Sequence, residues 1–358
     1  MSIATKSPLE SAIDAINATV ESATEESQLL VAAKCRALMR GYDARWRHAG
    51  YVTVHAEKML ACPLVNPETN AKSRTFDMGG KLDVIATYQG RSVLIDHKTT
   101  SDDVSDPDAP YWRQLVVEGQ ASHYGILGWA NGYKFESIIW DVVRKPSISP
   151  KKLTKAEIAA VVSSRKYFGD AVDDATVLAF SGSQTDRETV GMYESRLAHD
   201  CTVERPERYF QRRPIPRVDH ELMEYVGQLW DISQDIITTR QHDRHHKNSG
   251  ACMLYGSPCK FLGVCSGYDT IDSDNWQRKP QKHVELGDVS VITEKELLTN
   301  SRVRTFQTCK RKHFYEYELA VSRVNEEERE ALFFGTMLHV GLESWFNCLK
   351  SESLGEVQ

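Results

Sequence analysis

The run LDVIATYQGRSVLIDHK, residues 82–98, reads as a β-hairpin that carries its charges in an awkward place. Leu82, Val84 and Ala86 alternate with other residues, as do Val93 and Ile95, and Gln89-Gly90 supplies a tight turn. A turn centred there pairs Tyr88 with Arg91 and, counting outward, sets Asp83 directly across from Asp96. Opposed residues share a face with Cβ atoms about 4.5–5.5 Å apart, where like charges repel. Lys98 has the parity of Asp96 and joins that face if the strand continues. A divalent cation removes the difficulty. Mg²⁺ prefers carboxylate oxygens and keeps waters, and a lysine beside it orients a water and balances phosphoryl charge. The chemistry suggested is metal-assisted phosphodiester hydrolysis. A D-x-K triplet alone arises roughly once by chance in a chain this long, so context must decide.

The chain has 358 residues, 41% hydrophobic and 26% charged, the composition of an ordinary globular protein with room for one large or two modest domains. Its net charge of −6 argues against coating nucleic acid by charge alone but leaves room for a local positive groove. Without a run of 18 apolar residues or a signal-peptide pattern at Met1, the expectation is a cytoplasmic protein. Eight cysteines in such a compartment are no disulfide framework. Five are scattered, whereas Cys252, Cys259 and Cys265 crowd into one Gly- and Pro-rich loop.

Along the chain, residues 9–49 have helical spacing and 51–60 are β-branched enough for a strand. The hairpin, an acidic loop, a helix over 111–130 and a buried strand over 136–144 follow. Residues 151–240 read as mostly helical and 268–288 as a polar linker. A basic helix, FQTCKRKHFYEYELA, and an apolar one, ALFFGTMLHVGLESWF, end the chain.

Gly80-Lys81-Leu82-Asp83 followed by Asp96-His97-Lys98 resembles the PD-(D/E)xK nuclease superfamily. Gln120-Ala-Ser-His-Tyr124, in the right order after it, resembles the Q-x-x-x-Y motif of the RecB-type exonuclease branch. Spacing of i, i+4 puts Gln120 and Tyr124 on one helical face. The resemblance implies an α/β, restriction-endonuclease-like core, a mixed central sheet flanked by helices. It further implies a Mg²⁺- or Mn²⁺-dependent deoxyribonuclease of a bacterial or phage-infected cell, an exonuclease acting on single strands or duplex ends. Asp83, Asp96 and His339 then hold the metal with the backbone carbonyl of His97, Lys98 positions water, and Gln120 and Tyr124 hold the strand. DNA is the implied partner, with a helicase, a recombinase or the CRISPR-adaptation machinery beside it. A non-cutting nucleic-acid-binding or assembly protein on the same fold is the alternative, against which the intact D…D-x-K set speaks.

Thiolates in a loop such as 252–265 hold zinc or an iron–sulfur cluster, and both want four ligands. The segment SRVRTFQTCKRKHFYEYE resembles the opening of RecB-type nucleases with iron–sulfur staples, which makes Cys309 the expected fourth ligand of a [4Fe–4S] cluster with Cys252, Cys259 and Cys265. Those relatives space their last three cysteines C-x2-C-x5-C, whereas this chain has C-x6-C-x5-C, so His245, His246 and Asp269 stand as substitutes for Cys252.

The motif order is rotated. In the family the cysteine helix and a G-T-x-x-H helix precede the strands, but here Cys309 and Gly335-Thr-Met-Leu-His339 come last. The expected organisation is therefore a circular permutation: nuclease core over 1–150, helical insert over 151–245, cysteine loop over 246–267, linker over 268–288 and displaced N-terminal helices over 289–358. A truncated tandem copy that dimerises by exchange is the rival account. Glu343, i+4 from His339, shares its helical face, and Glu57 is a minor candidate for reaching the metal from a neighbouring strand. Lys310-Arg311-Lys312-His313 and Arg240 to Lys247 are expected to merge into one cationic surface beside the cysteines.

Overall fold

The computed structural model describes residues 6–21, 25–254, 256–280, 283, 286, 293–324 and 330–355. Helix α1 (Pro8–Thr19) opens on a capping box in which Ser7 and Glu10 satisfy each other's backbone N–H, and α2 (Glu26–Trp46) follows. Strands β1 (Tyr51–Val65), β2 (Lys72–Tyr88) and β3 (Arg91–Thr100) form an antiparallel meander. Helices α3 (Pro110–Val116) and α4 (Gly119–Ala130) carry the chain to β4 (Ser137–Arg144), which runs parallel to β3. Beyond it lie α5 (Lys155–Ser164), the hairpin of β5 (Lys166–Tyr167) and β6 (Asp170–Ala171), α6 (Asp174–Ser181), α7 (Val190–His199) and α8 (Pro206–Tyr209). Strand β7 (Phe210–Ile215) returns to the sheet, antiparallel to β4, and leads into α9 (Asp219–Gln241). The hairpin of β8 (Met253–Leu254) and β9 (Ser257–Pro258), α10 (Leu262–Ser266) and β10 (Trp276–Arg278) come next. The chain closes with β11 (Glu296–Leu298), α11 (Asn300–Thr308), α12 (Lys310–His313), β12 (Val321–Arg323) and α13 (Glu330–Gly355).

The central sheet has the order β1-β2-β3-β4-β7, with β11 parallel to β2. Because β1 follows β2 over most of its length, β11 at Phe76–Met78 and β3 from Val84 onward share the other edge of β2. Between them the edge at Gly79–Asp83 is open to side chains. Nε2 of His123 on α4 donates to the Gly79 carbonyl at 3.0 Å. A Cβ at Gly79 would lie 2.6 Å from Leu297, and one at Gly80 2.9 Å from the Tyr124 ring. Two glycines in a strand thus let β11 and α4 close on the gap.

The sheet separates two cores. Val84, Ala86, Val93, Ile95, Ile139 and Val143 pack against α1, α2, α7 and α13. Leu82, Ile85, Leu94, Ile138, Trp140 and Val142 pack against α3, α4, α9 and α11. Leu82 and Val84 therefore lie in opposite cores, and the simple alternation expected through Leu82, Val84 and Ala86 breaks across Asp83.

Three other expectations change. The helix over 111–130 is two helices, parted at Val117-Glu118. The insert is not purely helical, since Phe210–Ile215 is an edge strand of the central sheet, where Pro214 costs no ladder bond on the free side. Of the expected linker, Trp276–Arg278 pairs with β12 and Trp276 stacks on Phe261 with ring centroids 5.1 Å apart. Residues 281, 282, 284, 285, 287 and 288 of it lie outside the described residues.

The C-terminal segment folds back into the same body. Gly341 of α13 meets Ile16 of α1, and the Ser344 and Ser11 hydroxyls are 2.8 Å apart. Trp345 donates its indole N–H to Asp43 at 2.8 Å. Among the described residues no helix is long and apolar enough to cross a membrane.

Candidate metal centre

The open edge of β2 ends at Asp83. Tyr88 pairs with Arg91 as the turn requires, and the ladder runs inward to Val84↔Ile95. There the strands part, and Asp83 Oδ2 accepts the backbone N–H of His97 at 2.7 Å. Directly opposed carboxylates would repel, and the split relieves this while both acids stay at one end of the hairpin. On the other side, Ala56↔Val84 and Lys58↔Leu82 bracket Glu57, which sits opposite Asp83. Glu57 has φ +53°, beyond a register shift between Thr53 and His55, an uncommon backbone for a strand residue. Helix α13 delivers His339 from the far end of the sequence.

The donor atoms of Glu57, Asp83 and His339 all lie within 4.8 Å of one another. Burial, then the charge of Asp96, pushes the Asp83 carboxyl up to about 7. Burial, with the charges of His97, Lys98 and Lys81, brings His339 down to about 3, so its imidazole is neutral. Two carboxylates and a neutral imidazole form a hard oxygen–nitrogen donor set suited to Mg²⁺ or Mn²⁺. Glu343 stands near this set, its carboxyl raised by burial and by the charge of Glu57.

Asp96 is buried beside Lys98, whose ammonium contacts it directly. The same ammonium donates to Gln120 Oε1 at 2.8 Å and lies 4.8 Å from the centre of the Trp140 ring. Gln120 Nε2 donates to Asp96 at 3.2 Å and to the Tyr124 hydroxyl at 3.1 Å. Asp83, Asp96, Lys98, Gln120, Tyr124 and His339, spread over most of the sequence, thus share one neighbourhood.

The side chain of His97 reaches a second, buried network. Its Nδ1 lies 2.9 Å from Asp141, which also takes Arg212 Nε at 3.0 Å and the Tyr42 hydroxyl. Against its burial, Asp141 is held well below the carboxylate range by Arg212 and His97, and the hydrogen bond and charge of Asp141 raise His97 in turn. The ring of His97 lies 5.8 Å from that of His339. Sequence reasoning passed over Asp141, Arg212 and Tyr42. The signal was present in ESIIWDVVR, where a lone aspartate interrupts a buried strand. It also ranked Glu57 below His339, although both belong to the same donor set.

Cys252, Cys259, Cys265 and Cys309 are free thiols lining one small cavity with Lys247, Lys312 and Phe261. Cys309 interrupts the expected basic helix: α11 ends at Thr308, and Cys309 is extended with φ −163° and ψ 114° before α12 begins. The kink puts its thiol in the cavity wall. Of the substitutes for Cys252, Asp269 is engaged with Ser273 and Trp276 at 2.8 Å each, and His245 stacks on Phe314 at 4.0 Å. The cationic surface expected here is smaller than the sequence suggests. Lys247 donates to the Cys265 carbonyl, Arg311 to the His245 carbonyl at 2.7 Å, Arg240 enters ion pairs with Glu296 and Glu318, and His313 is buried. Lys247 and Arg311 thus tie the segments around the cavity, and Arg240 and His313 belong to the ion network of Glu296, Glu318 and Arg302.

Neither curated proteins nor solved structures gave a significant match to the chain. Residues 298–357, the stretch that holds Cys309 and His339, match the family model of the PD-(D/E)XK nuclease superfamily, which supports a nuclease-type function and accords with the restriction-endonuclease-like arrangement of a mixed sheet flanked by helices.

Proposed function

We propose that this protein is a divalent-metal-dependent deoxyribonuclease, an exonuclease of the RecB type acting on single strands or duplex ends. The observation that carries the reading is the convergence of Glu57, Asp83 and His339 within 4.8 Å, beside the Asp96–Lys98 pair. Glu57, Asp83 and His339 would hold Mg²⁺ or Mn²⁺, with Asp96 and the His97 carbonyl completing the set. When bound, the ion supplies Lewis-acid polarisation of a phosphate oxygen. Lys98, fixed by Asp96 and Gln120, orients the attacking water and offsets charge building on the phosphoryl group. Gln120, bonded to Lys98, Asp96 and the Tyr124 hydroxyl, holds that lysine in place, a positioning role rather than the strand-holding role the resemblance implies. The test is cleavage of labelled oligonucleotides with Mg²⁺ or Mn²⁺ by wild type, Asp96→Ala and Lys98→Ala. Loss of cutting with DNA affinity retained supports the reading; equal cutting by all three refutes it.

The cysteine cavity supports a [4Fe–4S] cluster, with zinc as the lesser alternative: four free thiols, contributed by a loop and by a helix end more than forty residues later, face one space. Such a cluster would be structural, tying α11 to the loop after α9. A circularly permuted domain accounts for the motif order. What favours it over an exchanged tandem copy is that β11 and α13 complete the sheet and the donor set of their own chain.

A further inference from the structure

Lys81 is the one charged residue of the Gly80–Asp83 motif to which the reading above gives no task. It sits two residues before Asp83 on β2, paired with Met59 of β1, and its ammonium lies 2.5 Å from Glu57 Oε2. Glu57 is a member of the converging donor set, so a lysine and a divalent ion would draw on the same carboxylate. The side chain of Lys81 is 36% exposed, against 15% for Glu57, which leaves the amine free to leave and the carboxylate fixed. The groups around it are the carboxyls of Glu57, Glu343 and Asp83 and the neutral imidazole of His339. In the metal-free protein the ammonium of Lys81 is therefore the cation held on the Glu57 carboxylate.

We propose that Lys81 is a built-in competitor for the divalent ion, holding Glu57 until metal displaces it, and that the displaced amine then binds a phosphate of the DNA strand. The inference rests on the nuclease reading for its second half only. Like charges repel, so a divalent ion on Glu57 and Asp83 drives the ammonium outward. Its four-carbon stem is long and flexible, and an amine expelled there meets a polyanion entering the centre. Lys81 would then flank the scissile phosphate away from Lys98, as a positioning residue.

The two halves predict changes of opposite sign in one variant. Lys81→Met keeps the stem and removes the charge. In the absence of DNA it should bind Mn²⁺ at least about fivefold more tightly than wild type, measured by electron paramagnetic resonance titration. At saturating Mn²⁺ it should cut a single-stranded oligonucleotide at least about tenfold more slowly, while Lys81→Arg recovers part of that rate. A residue that only braces the strand would weaken or leave unchanged its metal affinity. Unchanged or weaker Mn²⁺ binding by folded Lys81→Met overturns the competition, and an unchanged rate at saturating metal overturns the phosphate contact. If wild type binds Mn²⁺ but cuts no DNA, the nuclease reading and the phosphate contact fail together, and the titration still decides the competition.

Discussion

Gln120 bridges Lys98 and Asp96: its carbonyl oxygen accepts from the ammonium at 2.8 Å, and its amide nitrogen donates to the carboxylate at 3.2 Å. The Tyr124 hydroxyl accepts the other amide hydrogen at 3.1 Å, so the amide has a single orientation that satisfies every partner. Gln120 thereby fixes the rotamer of the lysine that is proposed to hold the water. Gln120→Leu should lower kcat about 10- to 100-fold with little change in KM, because a loosely held catalytic amine loses orientation before affinity. Steady-state kinetics on a single-stranded oligonucleotide checks this, and a purely KM effect would assign Gln120 to strand binding instead.

In the metal-free centre the contribution of Asp83 to stability should fall with pH. Asp83 has its folded-state carboxyl raised to about 7 by burial and by Asp96, against an unfolded value of about 3.9. The native state therefore binds more protons than the unfolded one between those values. The stability linked to this proton is fully present below about pH 4 and is lost as pH rises through about 7. His339, brought down to about 3 from an unfolded value of about 6.5, contributes with the opposite sign over nearly the same window, so in denaturant melts of EDTA-treated protein it is the excess stability of wild type over Asp83→Asn that should decline, by on the order of a few kcal/mol, from about pH 4 to about pH 7. Added Mn²⁺ should restore wild type at pH 8 and leave Asp83→Asn nearly unmoved. Parallel pH profiles for the two proteins would show that Asp83 is not the group responsible.

The hairpin of residues 82–98 was legible because a period of two and a Gln-Gly turn leave one register, and Tyr88↔Arg91 follows from it. The i, i+4 placement of Gln120 and Tyr124 was legible for the same reason: a helix has one geometry. What local pattern could not supply was the way strands part. The break at Asp83 depends on His97 donating its N–H to a side chain, and Glu57 depends on a left-handed residue after a register shift. Both are tertiary choices with no periodic trace. Strand β7 hid for a different reason. It lies inside the stretch read as mostly helical, and only the pairing with β4 gives Arg212 a buried partner in Asp141. The basic run after Cys309 misled in the opposite direction, because charge in sequence does not say whether a lysine faces solvent or a carbonyl.

Iron and sulfide should accompany the cysteine cavity. Anaerobically purified protein should be brown, with about four iron and four sulfide per chain, as the proposed cluster requires. Cys309→Ser should lower iron content and loosen the α11 segment, since Cys309 is the thiol that joins this helix to the 252–265 loop. Limited proteolysis near residues 246–267 reads out the loosening. Colourless protein with one zinc per chain would replace the cluster by a tetrahedral site.

A buried ion network should hold the C-terminal segment independently of any metal. Arg302, fully buried on α11, donates to Glu296 at 2.8 Å, to Glu318 at 3.2 Å and to the Leu297 carbonyl at 2.9 Å. Arg240 of α9 reaches the same two glutamates at 2.8 and 2.7 Å. The two arginines therefore clamp β11 and the π-helical segment Phe314–Glu318 after α12 onto α9, next to the strand that bears Asp83. Removing one guanidinium leaves acids facing a void in a low-dielectric setting, where breaking a buried pair costs about 3–5 kcal/mol. Arg302→Ala should lose that much in urea melts, and Arg240→Ala less, since its side chain is 24% exposed. Their double variant should fall short of the sum because both arginines serve the same carboxylates. Additive losses would mean that the two residues stabilise separate parts of the fold.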